Sequence, residues 1–428
     1  MLQNLINSLV NMADTVMVGR LGTAAIAACG LGNQIFFLFT MLLFGVCSGA
    51  GTFTAQFWGK KDIQGIRKNT GLCLAITLAV GALFTLAAFF IPDKLIACYS
   101  RDTEVIELGA RYLHALTPAF LPFAVSFVFI MTLRSIEQVA LAMVTTIISL
   151  SVNVVLNYFL IFGSGPFPEL GVAGAAMATA AARIIEMLIL VSVSYAKKYA
   201  LAGSFRDLAG FNRAFTGRFI RIAFPVVVNE AFWSLGITVE NAIFARTHTD
   251  AIAALNITAT ISNLTWVFFM GFGAAVSVMV GKKIGEGDEG AARLYAKKAA
   301  KFAPLAALSA ALVLVPVSRA LPFFFNVNEQ VLRNTQVMFI VLSCAYPFRA
   351  FNLTMIVGVC RAGGDTLFCA FYDILPLWLV AIPAAWIAAR VPGLPIWGIY
   401  LCLCMEEPVK LLVGLSRLKS GRWLHHVT

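Results

Sequence analysis

The chain is 428 residues long, 60% of them hydrophobic and only 12% charged, with a mean hydropathy of +0.85. Soluble domains hold roughly 45–50% apolar residues, so a water-soluble class is excluded and the chain reads as an integral membrane protein. Its formal charge of +11 and pI of 9.3 do not point to nucleic acid, because 21 of the 32 Lys and Arg fall in alternate loops and at the C-terminus, the positive-inside pattern of a cytoplasmic face.

A hydrocarbon core of about 30 Å takes roughly 20 apolar residues per helical span, and twelve such stretches follow one another. They lie near 1–19, 31–57, 72–91, 111–133, 139–163, 170–195, 219–245, 251–280, 299–318, 333–360, 367–389 and 394–415. Runs such as GLCLAITLAVGALFTLAAFF do not alternate as barrel strands do. The predicted fold class is therefore all-α and membrane-integral, with twelve transmembrane helices and both termini in the cytoplasm. The first stretch has no basic segment ahead of it and runs on into the protein, so it reads as a retained helix rather than a cleaved signal.

That first stretch contains VNMADTVMVGRLG, where Asp14 stands among apolar residues. An ionisable side chain at mid-membrane costs between about 2.5 and 17 kcal/mol and persists where it is paired, hydrated or functional. A wet helix end with Arg20 as partner is the structural reading of Asp14; a functional acid is the favoured one. In the fifth span, SVNVVLNYFLIFG sets Asn153 and Asn157 four residues apart and so on one helix face. Hydrogen bonding between helices and ion coordination both fit that pair. Arg183 and Glu186, one turn apart in the sixth span, read as a structural ion pair.

The seventh span carries Glu230 in PVVVNEAFWSLG, five residues after Pro225, and a proline loosens a helix and frees carbonyls near it. Glu240, Arg349, Asp373 and the group Glu406, Glu407 and Lys410 complete the charges within spans. The last three are expected to neutralise one another near the cytoplasmic end. Phe36, Phe37, Trp233, Trp266, Phe268 and Phe269 offer cation–π surfaces, although packing and interfacial anchoring are the commoner roles of such residues. Nine Cys without a CxxC pair and four scattered His exclude a clustered zinc site or a disulfide framework.

The chain is also written twice. Shifted by 226 positions, residues 12–68 fall on 238–294 without a gap and with twelve identities, so MADTVMVGRLGTAAIAACG lies on TVENAIFARTHTDAIAALN and Asp14 on Glu240. Matches such as Arg20 with Arg246, Gly59 with Gly285, Asp62 with Asp288 and Arg67 with Arg293 are not explained by shared apolar composition, which marks a true repeat. An even number of spans separates the copies, so both halves have the same orientation. That predicts two six-helix lobes related by a pseudo-twofold axis along the membrane normal: an N-lobe at 1–196, a basic cytoplasmic linker at 197–217 and a C-lobe at 218–428. On the repeat, Glu230 falls on Asn4. Met1 falls on Val227, so the first half has no counterpart to GRFIRIAFP, and the chain is expected to begin within a longer one.

The repeated pair, the loops WGKKD and GEGD, the RAGGDT turn, and VNVVLNYFLIFG followed by GVAGAAMAT together resemble the multidrug and toxic compound extrusion (MATE) family of cation-coupled efflux transporters, over essentially the whole length. The resemblance implies two lobes around a cleft that opens to either side in turn, with H⁺ or Na⁺ driving export of a cationic amphipathic substrate. It implies a cation site at Asp14, Asn153, Asn157 and Thr179, and no metal beyond Na⁺ at Asp14, Asn153 and Asn157. Where relatives often carry an Asp, this chain has Asn157, which removes a negative charge and favours proton coupling through Asp14. Glu230 resembles the seventh-helix acid of some relatives, and Glu240 is a second candidate for that acidic site or substrate contact.

The function expected is secondary antiport, without a cofactor or enzymatic step, by a monomer in a bacterial inner membrane. The alternative is a flippase of the same superfamily moving a lipid-linked or amphipathic metabolite, for which a more cationic lining is expected. A membrane-embedded enzyme would need a convergent catalytic set such as HExxH, and a channel a symmetric ring; neither pattern stands in the sequence.

Overall fold

The computed structural model describes Asp14 and residues 16–163, 167–247, 249–319 and 329–428. Among these residues the protein is helical throughout apart from an isolated antiparallel bridge between Gly364 and Leu424. Nine of its helical segments are long and apolar enough to cross a membrane. Of the other three stretches expected to do so, 1–19 lies almost wholly outside the described residues. The stretch 299–318 sits in the helix Glu289–Arg319. The stretch 394–415 forms two helices that meet at Met405, where the charged residues Glu406, Glu407 and Lys410 begin.

Two compact units divide the chain: residues up to Thr54 with Lys61–Phe219, and Ala55–Lys60 with Ile220–Thr428. Residues 197–217 therefore belong to the first unit. There the short helix Phe205–Leu208 is capped by Ser204, and Asp207 pairs with Arg67 at 3.1 Å. The turn backbone and the Ser204 hydroxyl both donate to Asp207, which with Arg67 holds its carboxyl below the usual carboxylate range.

The first unit is built on α1 (Thr23–Gly59, as far as Thr54), α2 (Ile63–Phe90), α3 (Pro92–Ala97), α4 (Thr103–Leu116), α5 (Phe120–Ser135), α6 (Val139–Phe162) and α7 (Gly171–Ala196). Each begins or ends where the sequence permits. Asp62 accepts from the Gly65 amide at the start of α2, and Asp102 from Glu104 and Val105 at the start of α4, the usual role of Asp at an N-terminus. Gly163 closes α6 with a φ of 65°, a left-handed conformation that favours glycine.

Two buried clusters fill this unit. In one, Phe36, Phe39, Phe84, Phe120 and Phe123 interlock with ring centroids 4.9–6.0 Å apart. Phe36 is thus a packing residue. The alanine-rich face of α7 lies against α6, and at Gly174 a Cβ would collide with the Leu160 carbonyl oxygen. That close approach brings the polar faces of the two helices together.

The second unit contains the helices Arg213–Ala245 (α8, from Ile220 onward), Thr249–Gly285 (α9), Glu289–Arg319 (α10) and Glu329–Leu353 (α11). It continues through Thr366–Pro376 (α12), Ile382–Ala388 (α13), Ile396–Cys404 (α14) and Glu406–Ser420 (α15). Helix α8 passes through Pro225 without a break. Two π-helical stretches, Thr354–Cys360 and Leu377–Ala381, interrupt the α-helical pattern, a rarity that concentrates at functional places. Trp233 and Trp266 stack with centroids 5.9 Å apart, and Phe268 and Phe269 meet edge to face.

Candidate functional site

In the first unit the polar residues of three segments meet. Asn157, on the buried face of α6, donates to Asp14 Oδ1 at 2.6 Å. Asn153, one turn earlier, lies 3.2 Å from Thr179 Oγ1 on α7. With its amide turned so that both ends find complementary partners, Asn153 donates to Asp14 Oδ2 at 3.3 Å and accepts from the Thr179 hydroxyl and amide. The Thr179 hydroxyl also reaches the Ala175 carbonyl at 3.0 Å. All four residues inferred for the cation site are therefore together.

The chemistry of the cluster is that of oxygen atoms. Asn157 is 1% exposed and its Oδ1 has no hydrogen-bond partner among the described residues. A buried acceptor left without a donor costs free energy on the order of 1–3 kcal/mol, a cost that a proton donor or cation arriving beside it would relieve. Carboxylate, amide and hydroxyl oxygens are the ligands hard cations take. Among the described residues no Lys or Arg forms an ion pair with Asp14. Arg20 instead lies over the Phe162 ring, 5.9 Å from its centroid. Arg183 is in electrostatic range of Asp14, but it is tied to Glu186 at 2.8 Å and stacks over Phe123, as expected of a structural pair.

The acids of the second unit are in a different setting. Glu230 accepts from Arg361 Nη2 at 2.7 Å, both side chains being buried. Arg361 opens the RAGGDT turn directly after the π-helical stretch Thr354–Cys360, and within that turn it is buried, 4% exposed. Asp373 accepts from Lys410 at 2.8 Å on one oxygen and from Asn229 at 3.1 Å on the other. Lys410 also pairs with Glu406 at 3.1 Å. Glu407 does not share that lysine: it pairs with Arg349 at 3.0 Å, and Asn352, held in turn by Tyr372, donates to its second oxygen. Glu240 is half-buried, in electrostatic range of Arg349, Lys410 and Glu407, and does not join Glu230.

Sequence reasoning thus assembled the first cluster and missed most of the second. Asn352 and Tyr372 carry no motif of their own, and the motifs that hold Asn229 and Arg361 do not show which acid each meets; the signal open to a reader was the surplus of acids in these spans, which demands cations from elsewhere in the chain. Among the described residues no group of three His, Cys, Asp or Glu forms a metal site.

The family model described as MatE matches residues 1–159 and 225–387. The probable multidrug resistance protein NorM of Thermotoga maritima is 23% identical over 423 residues, covering 98% of this chain and 90% of its own length. The protein of the same name from Bradyrhizobium diazoefficiens is 25% identical over 402 residues, with coverage of 91% and 84%. Among solved structures, a substituted form of the Vibrio cholerae MATE transporter VcmN superposes with a TM-score of 0.89 at 16% identity, covering 99% of this chain and 95% of that one. A MOP superfamily transporter from Pyrococcus furiosus gives 0.83 at 20% identity, with 97% and 94% covered.

Proposed function

The chain belongs to the MatE family of efflux transporters, and on that footing we propose that it is a secondary antiporter, exporting cationic amphipathic molecules in exchange for H⁺ or Na⁺. It is a multi-pass membrane protein, read here as a monomer of a bacterial inner membrane with cytoplasmic termini and no cofactor. The observation that carries the reading is the convergence of Asp14, Asn153, Asn157 and Thr179 on one buried point with an amide oxygen left over.

The ion and the substrate need not touch one another for exchange to be coupled. A coupling ion that binds one conformation of the transporter more tightly shifts the population toward it, and the substrate must then bind that conformation less tightly by the same factor. Asp14 is suited to this role because its charge is opposed by amides and not by a fixed cation. Protonation, or a sodium ion held between its carboxylate and the Asn157 oxygen, changes the net charge of the point by one. With Asn157 in place of a second acid, the site has a single formal negative charge, which suits a proton better than tight sodium binding.

Efflux of a fluorescent organic cation from proteoliposomes, under an imposed pH or sodium gradient, tests the reading. Export driven by one gradient, at least a hundredfold weaker in Asp14→Asn, is the expected result. A folded protein that moves the dye under neither gradient would sink it and bring the flippase reading forward.

A further inference from the structure

Every carboxylate for which the second unit provides a cation is already occupied by part of the chain itself. Both oxygens of Asp373 accept from donors, Lys410 on one side and Asn229 on the other. Glu407 accepts from Asn352 on one oxygen and lies 3.0 Å from Arg349 Nε, as an ion pair, on the other. Glu230 is held by Arg361, and Glu406 by the second reach of Lys410. The ammonium of Lys410, 5% exposed at its side chain and 2.8 and 3.1 Å from two carboxylates contributed by different helices, sits where a monovalent ion bridging those carboxylates would sit. The Arg361 guanidinium stands in the same relation to Glu230.

On the reading of the chain as a cation-coupled antiporter, we propose that Lys410 and Arg361 are built-in counter-cations that exclude a second coupling ion, so that the chain takes its ion at the Asp14 cluster alone. A hard cation needs several oxygen lone pairs converging on one point. Among the described residues Asn229 Oδ1 and Glu406 Oε2 in the second unit lack a hydrogen-bond partner as Asn157 Oδ1 does in the first, so what bars a mobile ion from the second unit is the fixed charge of Lys410 and Arg361 already seated on its carboxylates. Glu240 forms no ion pair or hydrogen bond with the other four acids' partners among the described residues, and it lies in electrostatic range of Arg349 and Lys410, whose charge disfavours a mobile cation beside it. Five carboxyls, Glu230, Glu240, Asp373, Glu406 and Glu407, thus surround three fixed cations, Arg349, Arg361 and Lys410. The two surplus acids are Glu240 and the second partner of Lys410, and each is within reach of a fixed positive charge.

Exclusion by a tethered cation has a consequence that a merely structural ion pair lacks. Taking the ammonium away while leaving both carboxylates should convert Asp373 and Glu406 into a vacant oxygen site. A structural pair, by contrast, would only be weakened.

Equilibrium binding of radiolabelled sodium to the purified full chain separates these cases without relying on transport. The intact chain is expected to bind no more than one sodium, and Asp14→Asn none. Lys410→Met is expected to gain one sodium per chain, and that site should survive when Asp14→Asn is added and disappear when Asp373→Asn is added. Sodium retained by Asp14→Asn with Lys410 in place would overturn the proposal, and this arm needs no change in the buried network. A monodisperse Lys410→Met protein that gains no site would overturn it as well. Proton coupling is read from the reversal potential in proteoliposomes, where one proton per organic cation is expected; a ratio of two that falls to one in Asp373→Asn would be fatal. Failure of dye export under any gradient would instead count against the antiport reading, leaving the sodium count to decide the role of Lys410.

Discussion

In the first unit Asp14 stands among amides while Glu186 is held by Arg183, and in the second unit Glu230, Asp373, Glu406 and Glu407 are all met by cations. Asp14 is met by Asn157, Asn153 and Thr179, groups that carry dipoles and spare oxygens. Glu230, Asp373, Glu406 and Glu407 are met by Arg361, Lys410 and Arg349. Both solutions satisfy a carboxylate away from bulk water, yet they differ in what they leave open. An amide solvates a negative charge without cancelling it, so a mobile proton or ion still gains by arriving. A guanidinium or ammonium cancels the charge, and the gain is gone. The lesson is that a buried acid in a membrane protein is a candidate for ion coupling only after its partners have been counted.

The comparison breaks most visibly if the fixed cations are dispensable. Arg361→Met leaves Glu230 buried without its partner and should destabilise the protein by about 3–5 kcal/mol, with Glu230→Gln in the same chain recovering most of that loss. Chemical unfolding of the single and double variants in detergent is the measurement, and equal destabilisation by both would remove the pair from the account. The corresponding loss is not expected at Asp14, because Asp14→Asn replaces one hydrogen-bonding group with another.

The contrast is sharpened by adding charge to the first unit. Asn157→Asp puts a second carboxylate beside Asp14, and sodium affinity should rise about tenfold, corresponding to roughly 1.4 kcal/mol. Sodium titration by calorimetry would show it, and unchanged affinity would mean that Asn157 does not face the ion. Removing an oxygen should do less. Thr179→Ala is expected to weaken the coupling ion about fivefold, the value of a single hydrogen-bonding or ligating group near 1 kcal/mol, read as a shift in the ion concentration for half-maximal export.

The smallest effect expected lies outside the spans. The folded-state acidity of Asp207 is increased by Ser204 and Arg67, so its contribution to stability is present above the ordinary carboxylate value of 3.8 and fades as pH falls through the lower folded value. Because the pair is only partly shielded from water, Asp207→Ala should lower the thermal midpoint by only about 1 °C at neutral pH and by less near pH 4. A shift that grew on acidification would reverse the sign and refute the assignment.

How much of this was open to a reader of the sequence follows from the range of each interaction. Asn153 and Asn157 are four residues apart, and helical geometry alone puts them on one face. The Arg183–Glu186 pair is local for the same reason. The repeat, by contrast, does not carry partners with it: Asp14 and Glu240 occupy equivalent positions at a spacing of 226, but Asp14 is hydrogen-bonded by amides while Glu240 has only Arg349, Lys410 and Glu407 in electrostatic range. Duplication copies a backbone pattern, while the partners of a buried group come from other helices that have since diverged.

By itself the sequence determined the class of the molecule, because a chain that is 60% hydrophobic cannot leave its spans in water and must satisfy its backbone within helices once in lipid. It also determined that ten charges within spans would need an explanation. Which charge meets which partner was decided only by the tertiary structure. Arg361 lies 131 residues from Glu230, and Lys410 lies 37 from Asp373; no local period relates such distances. Electrostatic matching of that kind acts through space, at about 3 Å, after the helices have packed, and packing is what set Asp14 among amides and the acids of the second unit among cations.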